Sequence, residues 1–126
     1  MTDQPARPAM TMRDIRTALG HSEPPVLVEA TRYEVSVLPF DDINRGSFTI
    51  SVEARGEGRW AVSRHRQCLD ANGNWSWESI PSERTDDWLA QHRFDLDTAL
   101  SLARKAAPHL VVNGHTALDA YHRTHA

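Results

Sequence analysis

The sequence predicts an α+β fold: a four-stranded antiparallel β-meander with one face covered by an amphipathic helix, plus short N- and C-terminal helices. Two observations carry most of this. Apolar and polar residues alternate through Tyr33–Val37 and Phe48–Ala54, as in half-buried strands, while Trp60 and Val62 begin an inward face in Arg59–Gln67 and Trp75 and Trp77 share a face in Trp75–Ile80. Further on, Leu96, Ala99, Leu100, Ala103, Ala106, Ala107 and Leu110 recur at the three- and four-residue spacing of one helical face. Short loops join the four strands, and no crossover helix lies between them, so the chain must meander antiparallel.

In chain order, residues 1–9 hold Pro5 and Pro8 among polar residues and are expected to be a disordered tail. Residues 10–25 are expected to hold an N-terminal helix and a linker. Thr11 and Asp14 have the spacing of a helix start, Met12, Ile15 and Leu19 share a face, and Gly20 can end the helix in a left-handed conformation. Pro24 and Pro25 close the linker, and a single α+β domain is expected over 26–126.

The first strand is expected within Val26–Leu38, ended by Pro39, with a polar loop over Asp41–Gly46. Phe48, Ile50, Val52 and Ala54 then alternate with Thr49, Ser51 and Glu53, and Gly56-Glu57-Gly58 supplies a hairpin turn. Arg59–Gln67 reads as one strand, Asp70–Asn74 as a second hairpin loop containing Asn-Gly, and Trp75–Ile80 as the fourth strand with Trp75 and Trp77 on a covered face. Ser82 or Thr85 can cap a short helix whose first turn holds Asp86 and Asp87, with Trp88 and Leu89 inward.

The main helix, Leu96–Ala107, has Asp95 at its N-cap, Arg104 and Lys105 in its last turn, and Pro108 as its stop. After it, Leu110–Val112 suits a short extended segment before an Asn113-Gly114 turn. Thr116 and Asp119 have capping-box spacing for a last helix to about Arg123.

A chain of 126 residues can bury a core without metals or disulfides. Its net charge of −3 gives no global attraction to nucleic acid or anionic membrane. The lone cysteine, Cys68, fits a reducing compartment, and no apolar run approaches a membrane span or a signal-peptide core. The expectation is a cytoplasmic protein without a membrane partner.

Candidate chemistry concentrates at three places. Arg55, Arg59, Arg64, His65 and Arg66 place positive charge on one hairpin, and Trp60, Trp75 and Trp77 could stack bases if they faced outward. The opposing interpretation makes the tryptophans core and the arginines a solvated rim paired with acids such as Asp86 and Asp87. His65 or His92 beside Asp86 or Asp87 could form an acid/base pair, although a solvated helix N-terminus explains the two aspartates better. The C-terminal histidines lack the spacing of a metal site, and Cys68 lacks an assignable base, so no catalytic residue, metal ligand or cofactor is assigned.

The runs Arg59-Trp60-Ala61-Val62, Cys68-Leu69-Asp70 with Gly73 and Trp75, Pro81 to Trp88, His92 to Leu100, and Ala107-Pro108 through Asn113-Gly114 resemble small uncharacterised proteins of actinobacteria and their phages. The resemblance spans about 33–115 and implies no activity. The order of sheet then helix is also similar to the three-strand-plus-helix DNA-binding domains of phage-type integrases. This chain departs from those in its extra leading strand, its Asp-rich insertion and its acidic balance.

The leading functional expectation is a small non-enzymatic protein-binding or regulatory module. It would act through an exposed surface or sheet edge, and an uncovered edge could also pair with another copy. The alternatives are a nucleic-acid-binding protein using the basic hairpin Arg55–Arg66 and, behind it, an enzyme with a His/Asp site.

Overall fold

Period-two alternation along the middle of the chain builds one antiparallel sheet in sequence order: β1 (Arg32–Val35), β2 (Ile50–Ala54), β3 (Trp60–Arg64), β4 (Gln67–Leu69) and β5 (Trp75–Trp77). The structure, a computed structural model, describes residues 23–125 together with Met12 and Gly20. The expected tail and most of the expected N-terminal helix lie outside the described residues; Gly20 has φ +85°, the left-handed value a helix-ending glycine adopts.

The sheet has five strands where the sequence reading expected four. The run Arg59–Gln67 is broken by a two-residue turn at His65 and Arg66, whose φ angles are +50° and +65°. Two successive positive φ values are the twist a tight hairpin needs, and Asn-Gly usually supplies them. Here the turn residues are His and Arg, so no local signal announced it.

β1 is also shorter than Val26–Leu38. Thr31 O accepts from Ala54 N at 2.8 Å, and β2 ends at Ala54, so the residues before Thr31 extend past their neighbouring strand. At the other end, Ser36 Oγ donates to Phe48 O at 2.7 Å and accepts from Leu38 N at 3.1 Å, which bends the chain inward. Phe48, read as strand, lies in a 3₁₀ turn, Arg45–Phe48, with its ring in the core.

Register sorts the two sheet faces. Tyr33, Val52 and Val62 are cross-strand neighbours, as are Val35 with Ile50 and Leu69 with Trp75. They form the apolar face, covered by helix α2 (Leu96–Ala106), which packs mainly on β3, β2 and β1. Asp95 Oδ1 accepts from Thr98 N at 2.8 Å, the expected cap. Ala99 and Ala103 are 0% exposed, because small side chains let the helix sit close to the sheet. Reciprocal backbone bonds between Trp60 and Phe94, 2.7 and 3.0 Å, anchor the helix entry to the start of β3.

After a 3₁₀ turn at Ala107–His109, strands β6 (Val111–Val112) and β7 (His115–Thr116) form a small hairpin around Asn113 and Gly114, at φ +52° and +80°. Thr116 and Asp119 close the expected capping box: Asp119 N donates to Thr116 Oγ1 at 3.1 Å and Thr116 N to Asp119 Oδ2 at 3.2 Å. Helix α3 (Ala117–His125) then buries Ala117 and Ala120. Its end reaches the 39–46 loop, where Thr124 Oγ1 donates to Asp42 Oδ2 at 3.2 Å and His125 Nε2 lies 3.1 Å from the same oxygen.

The expectation that Trp75 and Trp77 are both covered needs correction. Trp75 packs against the core, but Trp77 is 68% exposed. Both project from the face that α2 covers, but α2 packs mainly over β3, β2 and β1, and the far end of β5 lies beyond it.

Candidate functional site

The opposite sheet face carries Ser63, Cys68 and Ser76 as successive cross-strand neighbours, and the short helix α1 (Asp86–His92) ends against it. Thr85 Oγ1 caps α1 by accepting from Trp88 N at 3.1 Å. Immediately after α1, Arg93 turns inward, and its guanidinium donates to Glu78 Oε2 at 2.7 Å and to His92 O at 3.0 Å.

Glu78 gathers three arginines. Arg55 donates to Oε2 at 2.7 Å and Oε1 at 3.2 Å, Arg93 shares Oε2, and Arg84 lies at 3.3 Å. Desolvation raises the Glu78 pKa, but hydrogen bonds from Arg93 and Arg55 outweigh it and leave the carboxyl below its ordinary value. The rim acids expected from sequence were Asp86 and Asp87; Arg55 instead pairs with Glu78 and Glu53.

Burial pushes the neighbouring Cys68 thiol up to about 11, with the Glu78 charge adding to the effect. At 0% exposure the side chain is a core thiol, unsuited to attack as a nucleophile. His92 Nδ1 lies 2.7 Å from Trp88 O, which can only accept, so Nδ1 bears a proton. Its Nε2 lies 3.2 Å from Ser76 Oγ, and Trp88 stacks on the imidazole at 4.1 Å. The partners of His92 are therefore a backbone carbonyl and a hydroxyl, in place of the Asp86 or Asp87 carboxylate that an acid/base pair requires. Among the described residues no three His, Cys, Asp or Glu side chains converge as metal ligands, and no helix is long and apolar enough to cross a membrane.

The basic hairpin residues separate. Arg55 is held in the Glu78 cluster, while Arg64 projects to the helix side and donates to Ser47 O at 2.8 Å. Arg59, His65 and Arg66 are exposed at the two ends of β3 and in the turn beyond it. Desolvation lowers the Arg64 pKa.

A cleft of about 660 Å³ opens between the β4–β5 edge and the C-terminal end of α2. Its apolar walls include Leu69, Trp75, Leu102, Ala106 and Leu110. Arg64, Lys105 and His109 line it as well, and among the described residues no carboxylate does. Sequence placed these three groups in unrelated roles: a hairpin arginine, a helix-end cation and one histidine among several. Only packing brings them around one opening.

Beside this cleft runs β5, an edge strand that pairs with no further strand among the described residues. Glu78 N bonds Arg66 O at 3.0 Å and Asp70 N bonds Asn74 O at 2.9 Å, so alternate residues of β5 face β4 through their backbone groups. Ser76, midway between Asn74 and Glu78, is the inward-facing residue, and the N–H and C=O groups of Trp75 and Trp77 point away from the sheet. The edge therefore offers outward main-chain donors and acceptors, an exposed indole at Trp77 and an apolar cleft with cationic groups. Comparison with protein-family models, curated proteins and solved structures finds no match to this chain.

Proposed function

We propose that the protein is a non-enzymatic protein-binding module that captures an extended segment along β5. The segment would add a sixth strand by bonding to the outward main-chain groups of Trp75 and Trp77, and its side chains would enter the neighbouring cleft. Apolar side chains suit the walls made by Leu69, Leu102 and Leu110, and an acidic residue suits Arg64, Lys105 and His109. The single observation that supports the reading is this conjunction, among the described residues, of an unpaired strand edge with an apolar cleft that has cationic groups and no acid.

The test is a titration of ¹⁵N-labelled protein with extended peptides that alternate valine or leucine with glutamate. The expected result is a set of shifts in the Trp75 and Trp77 amide and indole signals, abolished when alternate peptide nitrogens are methylated. No shift at millimolar peptide refutes the reading. Salt-dependent shifts at Arg59, His65 and Arg66 on adding DNA or RNA would instead support the nucleic-acid alternative.

A further inference from the structure

The residues ahead of β1 carry the most exposed aliphatic run among the described residues. Val26, Leu27 and Val28 are 93%, 69% and 97% exposed, a large apolar surface for three consecutive residues. They lie outside any helix or strand, and Pro24 and Pro25 hold the stretch towards extended conformations. From Pro24 to Thr31 the one charged residue is Glu29.

The arm matches the β5 site in chemistry and cannot reach it within its own chain. Thr31 is fixed to β2 by its bond from Ala54 N. Val28, three residues away, can stand at most ~11 Å from it, and Val26 at most ~18 Å. The β5 edge lies four strand spacings from β1, ~19 Å, and α2 occupies the apolar face across that path. The reach falls short, so an arm that fills such a site must fill it on another molecule.

We infer that the arm Val26–Ala30 of one copy docks along β5 and into the cleft of a second copy. This rests on the reading of β5 as the capture edge and names the partner as this same chain. Val26 to Ala30 all retain their N–H groups, so the arm can pair with the main chain of Trp75 and Trp77. Glu29 supplies the acid that Arg64, Lys105 and His109 lack. Because arm and cleft are different surfaces, the contact is head-to-tail, and it either closes into a ring or extends as a chain.

Light-scattering chromatography of the full chain and two variants tests the inference. Val26→Asp with Val28→Asp disables the arm and leaves the cleft; Lys105→Glu reverses a cleft charge at an exposed position and leaves the arm. The wild type should exceed its 14.2 kDa chain mass in a concentration-dependent way, and each variant alone should run as a monomer. Mixed, they should form a capped 1:1 dimer, since one intact arm meets one intact cleft. A peptide of residues 23–31 added to the arm variant should shift the Trp75 and Lys105 signals.

A wild type that stays monomeric, an arm variant that still associates, or a mixture that fails to dimerise overturns the inference. If the arm peptide causes no shift while unrelated acidic–apolar peptides do, the homotypic partner is wrong and the capture edge stands. If neither peptide shifts β5, both fail.

Discussion

Replacing Glu78 with alanine should destabilise the whole fold by disrupting the polar face of the sheet. Glu78 and Arg93 are 12% and 7% exposed in their side chains and joined at 2.7 Å, so alanine would strand a mostly buried guanidinium. Each lost charge-assisted hydrogen bond costs about 1.5–3 kcal/mol, and breaking a buried pair from one side costs about 3–5 kcal/mol. Arg55 and Arg84, at 26% and 18% exposure, can recover water, and Arg93 keeps His92 O and the face of Trp88 at 5.1 Å. These allowances bring the expected loss to about 3 kcal/mol, a fall in Tm on the order of 10 °C for a chain this size. Glu78→Gln, which keeps an acceptor but no charge, should lose about half as much. Urea unfolding followed by tryptophan fluorescence reads both. A loss under about 1 kcal/mol for Glu78→Ala would refute the claim that this carboxylate organises the face.

The same residue sets a sign for pH. Its folded-state pKa is depressed, so its contribution is complete above the unfolded carboxylate value, about 4.3, and is lost as pH falls through the folded value. Asp42, Asp95 and Asp119 are also lowered, each chiefly by a backbone N–H, from Asn44, Thr98 and Thr116 respectively. All four act in the same direction, and Glu78→Gln should make the acid limb of the stability curve shallower.

Three further outcomes are expected. His65→Asn with Arg66→Gly should raise stability by roughly 1 kcal/mol, since both positions sit at positive φ; a single strand through 59–67 would instead be weakened by Asn-Gly, visible as a lower urea midpoint. Ala103→Leu, at 0% exposure under α2, should cost about 1–3 kcal/mol by forcing the helix off β2 and β3, and an unchanged Tm would contradict that packing. Cys68 should resist a thiol reagent at pH 8 in the folded protein and react once unfolded, because its pKa is near 11 and the side chain is buried; rapid labelling of the native state would place it elsewhere.

What could be read from sequence was what neighbours along the chain decide. Asp95 and Thr98, Thr85 and Trp88, and Thr116 and Asp119 are each three residues apart, and their caps follow from spacing alone. The alanine stripe of α2 and the alternation of β2 are equally local, so the antiparallel sheet and its covering helix were legible. The turn at His65 and Arg66 was not, because neither residue favours positive φ and only pairing of Ser63 with Cys68 enforces it. Nor could sequence choose the partner of Arg55: Glu78 lies 23 positions away and meets it through the register of the sheet. The cleft is the extreme case, since Arg64, Lys105 and His109 converge only after α2 has crossed the sheet. Local chemistry determined the elements; the order in which strands pair and the place where α2 stops decided which charges are buried and which edge stays open.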